Sequence, residues 1–175
     1  MRVATGALAG EIGRGTMDLI ASRPVTRGAQ VAAAAVAVFA GLAIIWAAAW
    51  GGTAVGLAQR PLDGVAAADL LPVAGMGLLL FTSAGAVALL ISARSREGGP
   101  AVSWCAGLLA TSYVLDYLAR VWSAIAFLRP LSLFRYYEPQ RILREGVAGA
   151  DVAVLGAVGA AALVLAFVVF GRRDL

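Results

Sequence analysis

The sequence contains no lysine and no histidine, and its 175 residues include one cysteine. Without histidine, imidazole-based metal sites and His-dependent catalytic triads are excluded. The single thiol, Cys105, cannot form an internal disulfide, and in its apolar run it reads as a small buried hydrophobe. A phosphate-binding loop ending in Lys-Ser/Thr needs the lysine this chain lacks, so any ATP hydrolysis belongs to a separate subunit. Charge is also scarce, at 14% of residues, and the acids are not clustered. The expectation is a chain that is not an enzyme and carries no cofactor and no metal. The net charge of +4 comes entirely from arginines at the ends of apolar runs. That pattern orients membrane segments and does not point to nucleic acid.

What the chain has in excess is apolar surface. Hydrophobic residues make up 61% of it and the mean hydropathy is +0.87, more than a soluble domain of this length can bury. Lipid must act as its solvent. Four stretches reach the roughly 20 apolar residues that a bilayer-crossing helix needs. They lie at about residues 30–52, 70–93, 100–122 and 151–170. The short alternating segments of a membrane β-barrel do not occur. The expected fold is therefore all-α: a polytopic membrane protein of four transmembrane helices in residues 28–175.

Orientation follows from the arginines. Arg2, Arg14, Arg23, Arg27, Arg94, Arg96, Arg172 and Arg173 lie on the side of the termini, with Arg60, Arg120, Arg129, Arg135, Arg141 and Arg144 opposite. Short loops and span flanks weigh most, which puts both termini in the cytoplasm.

The first span is preceded by "EIGRGTMDLIASRPVTRGAQ". On a helical wheel Leu8, Ile12, Gly15 and Leu19 form one thin stripe, and Glu11, Arg14 and Asp18 gather on another face. Acids on the polar face would be repelled by anionic lipid, so a protein partner suits this helix better than a headgroup layer does. Arg23-Pro24 breaks the helix, and the proline can open the next one. Residues 1–27 thus read as a cytoplasmic amphipathic helix with a sharp corner. Glu11 and Asp18 interrupt any apolar region, so this is not a cleaved signal peptide.

The run "GEIGRGTMDLIASRPVTRGAQ" resembles the cytoplasmic segment of ABC-2 type transporter permeases. The end, "FVVFGRRDL", and the loop "LRPLSLFRYYEPQRILREG" are similar to that family's chain ending and its external loop before the last span. The resemblance implies a permease that works with a cytoplasmic ABC ATPase subunit and a second permease chain. It places the ATPase-coupling surface at Glu11, Gly15, Thr16, Asp18, Arg23, Pro24 and Arg27. Such permeases have six spans with this segment after the second; here the first two are not in the sequence. The alternative is a non-transporting accessory or regulatory subunit, or a truncated permease remnant.

Within the spans, Asp116 and Arg120 stand four apart and can pair on one helix face. They either border a substrate path or satisfy each other at the interface, which Trp122 just beyond favours. Gly52 and Gly56 offer a small-residue face on the first span, and Gly75, Gly77 and Gly85 lighten the second. In the long loop, Phe127, Phe134, Tyr136 and Tyr137 suit headgroup depth. A short helix is expected to start at Pro139 and close at Gly146.

Overall fold

The computed structural model describes residues 27–60, 66–95 and 98–171, and among these every regular element is helical. The expected amphipathic helix, with Glu11, Gly15, Thr16, Asp18, Arg23 and Pro24, lies outside the described residues. Among the described residues five α-helices follow one another: α1 (Arg27–Gln59), α2 (Leu71–Arg94), α3 (Gly98–Val121), α4 (Pro139–Glu145) and α5 (Gly149–Gly171). Three 3-10 segments, Ala67–Leu70, Ser123–Leu131 and Leu133–Tyr136, connect them. Four of the helices are long and apolar enough to cross a membrane, and α3 is the least apolar of these.

α1 runs past its expected end. Gly51, Gly52 and Gly56 would each weaken a helix in water by roughly 0.5–1 kcal/mol. The chain nonetheless keeps its helical hydrogen bonds to Gln59, with no proline between Gly52 and Gln59 to stop it. The 33 residues give a rod of about 50 Å, against a hydrocarbon layer of about 30 Å. α2 starts at Leu71, close to its expected beginning. The Asp69 carboxylate accepts the Ala66 N–H at 2.8 Å, fixing the 3-10 segment that leads into Pro72 at the helix start.

α2 is the centre of the bundle, packed against α1, α3 and, most extensively, α5. Near the end of the bundle that holds Arg27 and Arg94, Val31 and Val38 of α1 pack with Leu89 and Ala93 of α2, Cys105 of α3 and Phe170 of α5. At the opposite end Met76 and Leu80 of α2 pack with Ile142 of α4 and Leu155 of α5. The pairing of early with early and late with late residues makes α2 and α5 parallel.

Small residues set the spacing. A Cβ added at Gly159 of α5 would sit 3.2 Å from the Ser83 Cα and 3.1 Å from its Oγ, so the two backbones approach where this side chain is missing. The same serine bridges the helices: its hydroxyl lies 2.8 Å from the carbonyls of both Leu79 and Leu155. Interhelical hydrogen bonds in membranes contribute about 0.6 kcal/mol on average, so Ser83→Ala should cost about that in an SDS-titration unfolding measurement. Gly77 makes room for the Trp46 ring, 2.5 Å from where its Cβ would be, and Gly85 receives Val38 and Leu42. Trp46 and Phe81 lean on each other with ring centroids 5.8 Å apart. By contrast Gly52, Gly56 and Gly75 meet nothing within 4 Å, so the expected small-residue face of α1 has no contact among the described residues.

Candidate functional site

Beyond α3 the chain turns back on itself. The Trp122 N–H closes the helix on the Leu118 carbonyl at 2.8 Å, and the Ser123–Leu131 segment then lies along α3. It is pinned by Ser132, which is fully buried and donates from Oγ to the Ser112 carbonyl at 2.6 Å. The Leu133 N–H donates to Ser112 Oγ at 3.0 Å, and the Phe134 N–H to Ser132 Oγ at 3.2 Å. Two serines thus satisfy the amides that a turn between 3-10 segments would otherwise leave open. Ser112 lies about nine residues before the end of α3, so the segment descends roughly 13 Å along that helix.

The returning chain then crosses to α2 and α5. Leu133, Phe134, Tyr136 and Tyr137 pack against the cluster of Met76, Leu80, Ile142 and Leu155. Phe134 also meets Tyr113 edge-on at 5.5 Å. Burial pushes the Tyr137 phenol above its ordinary pKa, which keeps it neutral at any physiological pH. Of the four aromatics expected at headgroup depth, three turn inward and only Phe127 points out. α4 starts at Pro139 and ends at Gly146, whose φ of 82° suits a residue without Cβ.

Between these contacts lies a network of six charged side chains. Arg120 Nε donates to Asp116 Oδ2 at 2.8 Å, and Arg129 Nε to Asp116 Oδ1 at 3.2 Å. Arg120 Nη1 reaches Glu138 Oε1 at 2.7 Å, and Arg129 Nη2 lies 3.5 Å from the same oxygen. Arg141 extends the chain of contacts, with Nε 3.9 Å from Glu138 Oε2 and Nη2 bonded to Asp151 Oδ2. Three arginines balance three carboxylates. Asp116 is the buried centre at 6% exposure, held by two guanidiniums. The Asp116–Arg120 pair is therefore not self-contained, since each partner holds a further group from the loop.

The network ties α3, the returning segment, α4 and α5 together at one end of the bundle. No family model, curated protein or solved structure matches this chain. Its role must be read from the arrangement alone. Among the described residues no group of three or more His, Cys, Asp or Glu side chains is placed to hold a metal ion. Each carboxylate of the network faces arginine, so the arrangement clamps the loop to α3 and α5. Arg129, Glu138, Arg141 and Asp151 join through long-range contacts that no local spacing announces; only Glu138 and Arg141, three apart at the start of α4, carry a sequence signal.

A second feature lies within the spans. A groove of about 440 Å³ opens between α1 and α2, lined by Ala37, Gly41, Ile45, Trp46, Phe81 and Gly85 among others. It has no charged lining residue. Arg27, the last of the expected coupling residues, is the first residue of α1.

Proposed function

We propose that this chain is the permease subunit of an ABC-2 type transporter, exporting a substrate across the cytoplasmic membrane with energy from a separate ATPase. The observation that carries the reading is the run from Glu11 to Arg27. It resembles the ATPase-facing segment of that family and ends at Arg27, the first residue of α1. Both termini are then cytoplasmic, and the charge network closes the opposite, external side.

The physical logic is a lever and a clamp. Force received by the charged segment enters α1, a single continuous helix that bears on α2 through Trp46 and Val38. α2 carries it to α5 through the tight Ser83–Gly159 contact. At the far end, motion between α3 and α5 has to work against the ion pairs that the loop shares with both. A second permease chain completes the pathway.

The test is recovery of an ATPase with the tagged chain from its native membrane in mild detergent. With Glu11→Arg and Asp18→Arg together, the ATPase should be lost and transport should fall by more than about tenfold, while membrane insertion is unchanged. Unchanged transport after both reversals would refute the coupling assignment. An intact chain that brings down no ATPase would favour the accessory-subunit reading.

A further inference from the structure

The segment after α3 exposes a face that water would reject. Trp122 is 61% exposed, Phe127 75% and Leu131 74%, all outside the four spans. They continue the bare apolar side of α3, where Tyr117, Leu118 and Val121 are also exposed. Exposed apolar side chains this large and contiguous mark a contact surface. We infer that Trp122–Leu131 is a wedge immersed in the hydrocarbon of the leaflet on that side, descending into it with Leu131 deepest and Trp122 at the headgroups.

Three observations select lipid as the occupant. The face is continuous with a span, whose exposed side chains already lie in hydrocarbon. Its direction is fixed by Ser132, which bonds to Ser112 about nine residues down α3, so the segment points into the membrane and does not lie across it. Its backbone is suited to lipid as well. Irregular chain is not tolerated in hydrocarbon unless its amides are satisfied. Here the Ser123–Leu131 stretch is 3-10 helical, the Ser132 N–H donates to the Arg129 carbonyl, and Ser112 and Ser132 take the next two amides. The charged side of the segment is turned away from lipid, with Arg129 held on Asp116. This surface stands whether or not the chain transports anything.

The test is depth-dependent fluorescence quenching in phosphatidylcholine vesicles whose acyl chains carry bromine near the glycerol or near the chain end. In a protein with Trp46, Trp50 and Trp104 replaced by Phe, Trp122 should lose most emission to the shallow bromines. Moving the single tryptophan with Trp122→Phe and Leu131→Trp should give blue-shifted emission lost mainly to the deep bromines, with Phe127→Trp between them. Positions 122, 127 and 131 are exposed, so exchanges there leave the packing intact; the Trp46→Phe change beside Gly77 and Phe81 is common to all three proteins, and an unaltered Cys105 labelling curve on heating verifies the fold. Quenching at position 131 by aqueous iodide would overturn the inference by placing the segment in water. Equal shallow quenching at all three positions would show that it lies flat. Blue-shifted emission touched by neither quencher would show that protein covers it.

Discussion

Asp116→Ala should destabilise the protein by about 2–3 kcal/mol, the largest effect expected of any single truncation at this site, the buried-pair cost being reduced because the two guanidiniums left behind are 38% and 25% exposed. The carboxylate is buried and has two guanidinium partners, Arg120 and Arg129. Its removal leaves both arginines to share Glu138, and Arg129, the less exposed of the two, loses its closest acceptor. Asp116→Asn keeps the shape and one acceptor oxygen and should cost less, because the surplus positive charge remains but one hydrogen bond survives. The quadruple replacement Asp116→Leu, Arg120→Met, Arg129→Met, Glu138→Gln removes two charges of each sign together, leaves the Arg141–Asp151 pair, and should recover much of the loss, since a buried ionic cluster is often no more stable than an apolar one. The assay is thermal unfolding in detergent followed by maleimide labelling of Cys105, which is buried and the only thiol in the chain. For a chain of this size 2–3 kcal/mol corresponds to a midpoint lowered by about 4–12 °C. A midpoint for Asp116→Ala within a degree of the parent would mean that the cluster does not clamp the loop.

This cluster marks the limit of what the sequence discloses. The four spans were legible because lipid imposes one rule on every residue in them: apolar side chains outside and each backbone group bonded within the helix. The end of α1 was not legible in the same way, because hydropathy marks where the apolar run weakens after Gly52 and not where the helical hydrogen bonds stop, at Gln59. α4 was legible because Pro139 and Gly146 are local signals with local causes. The Asp116–Arg120 spacing was legible for the same reason. Arg129, Glu138 and Asp151 were not, because their meeting depends on the loop turning back along α3, and Ser112 and Ser132 are unremarkable in sequence. Nor does the local pattern say that Tyr136 and Tyr137 face inward while Phe127 faces out. Of the residues tied to ATPase coupling, only Arg27 falls among those described, at the start of α1.

Gly159→Leu should be the second most damaging change, and its neighbour supplies the control. α5 reads "GAVGAA" around Gly156 and Gly159, two glycines alike in sequence and three residues apart. Their surroundings differ. A Cβ at Gly159 would lie 3.2 Å from the Ser83 Cα, which is backbone and cannot swing aside; a Cβ at Gly156 meets nothing within 4 Å. Gly159→Ala therefore forces α2 and α5 apart by a few tenths of an ångström, which strains the Ser83–Leu155 hydrogen bond and the contacts around Leu80. Leucine at 159 cannot be accommodated by so small a shift. Overpacking of this kind costs about 1–3 kcal/mol, and the loss of contacts along the whole parallel pair adds to it. Gly156→Leu should stay within about 0.5 kcal/mol, as at other open positions. The Cys105 labelling assay reads both, because the packing of α2 on α5 continues down to Leu89 and Phe170, beside the thiol. Equal responses at 156 and 159 would mean that α5 does not present Gly159 to Ser83. The route by which α1 is proposed to move α5 would then be lost as well.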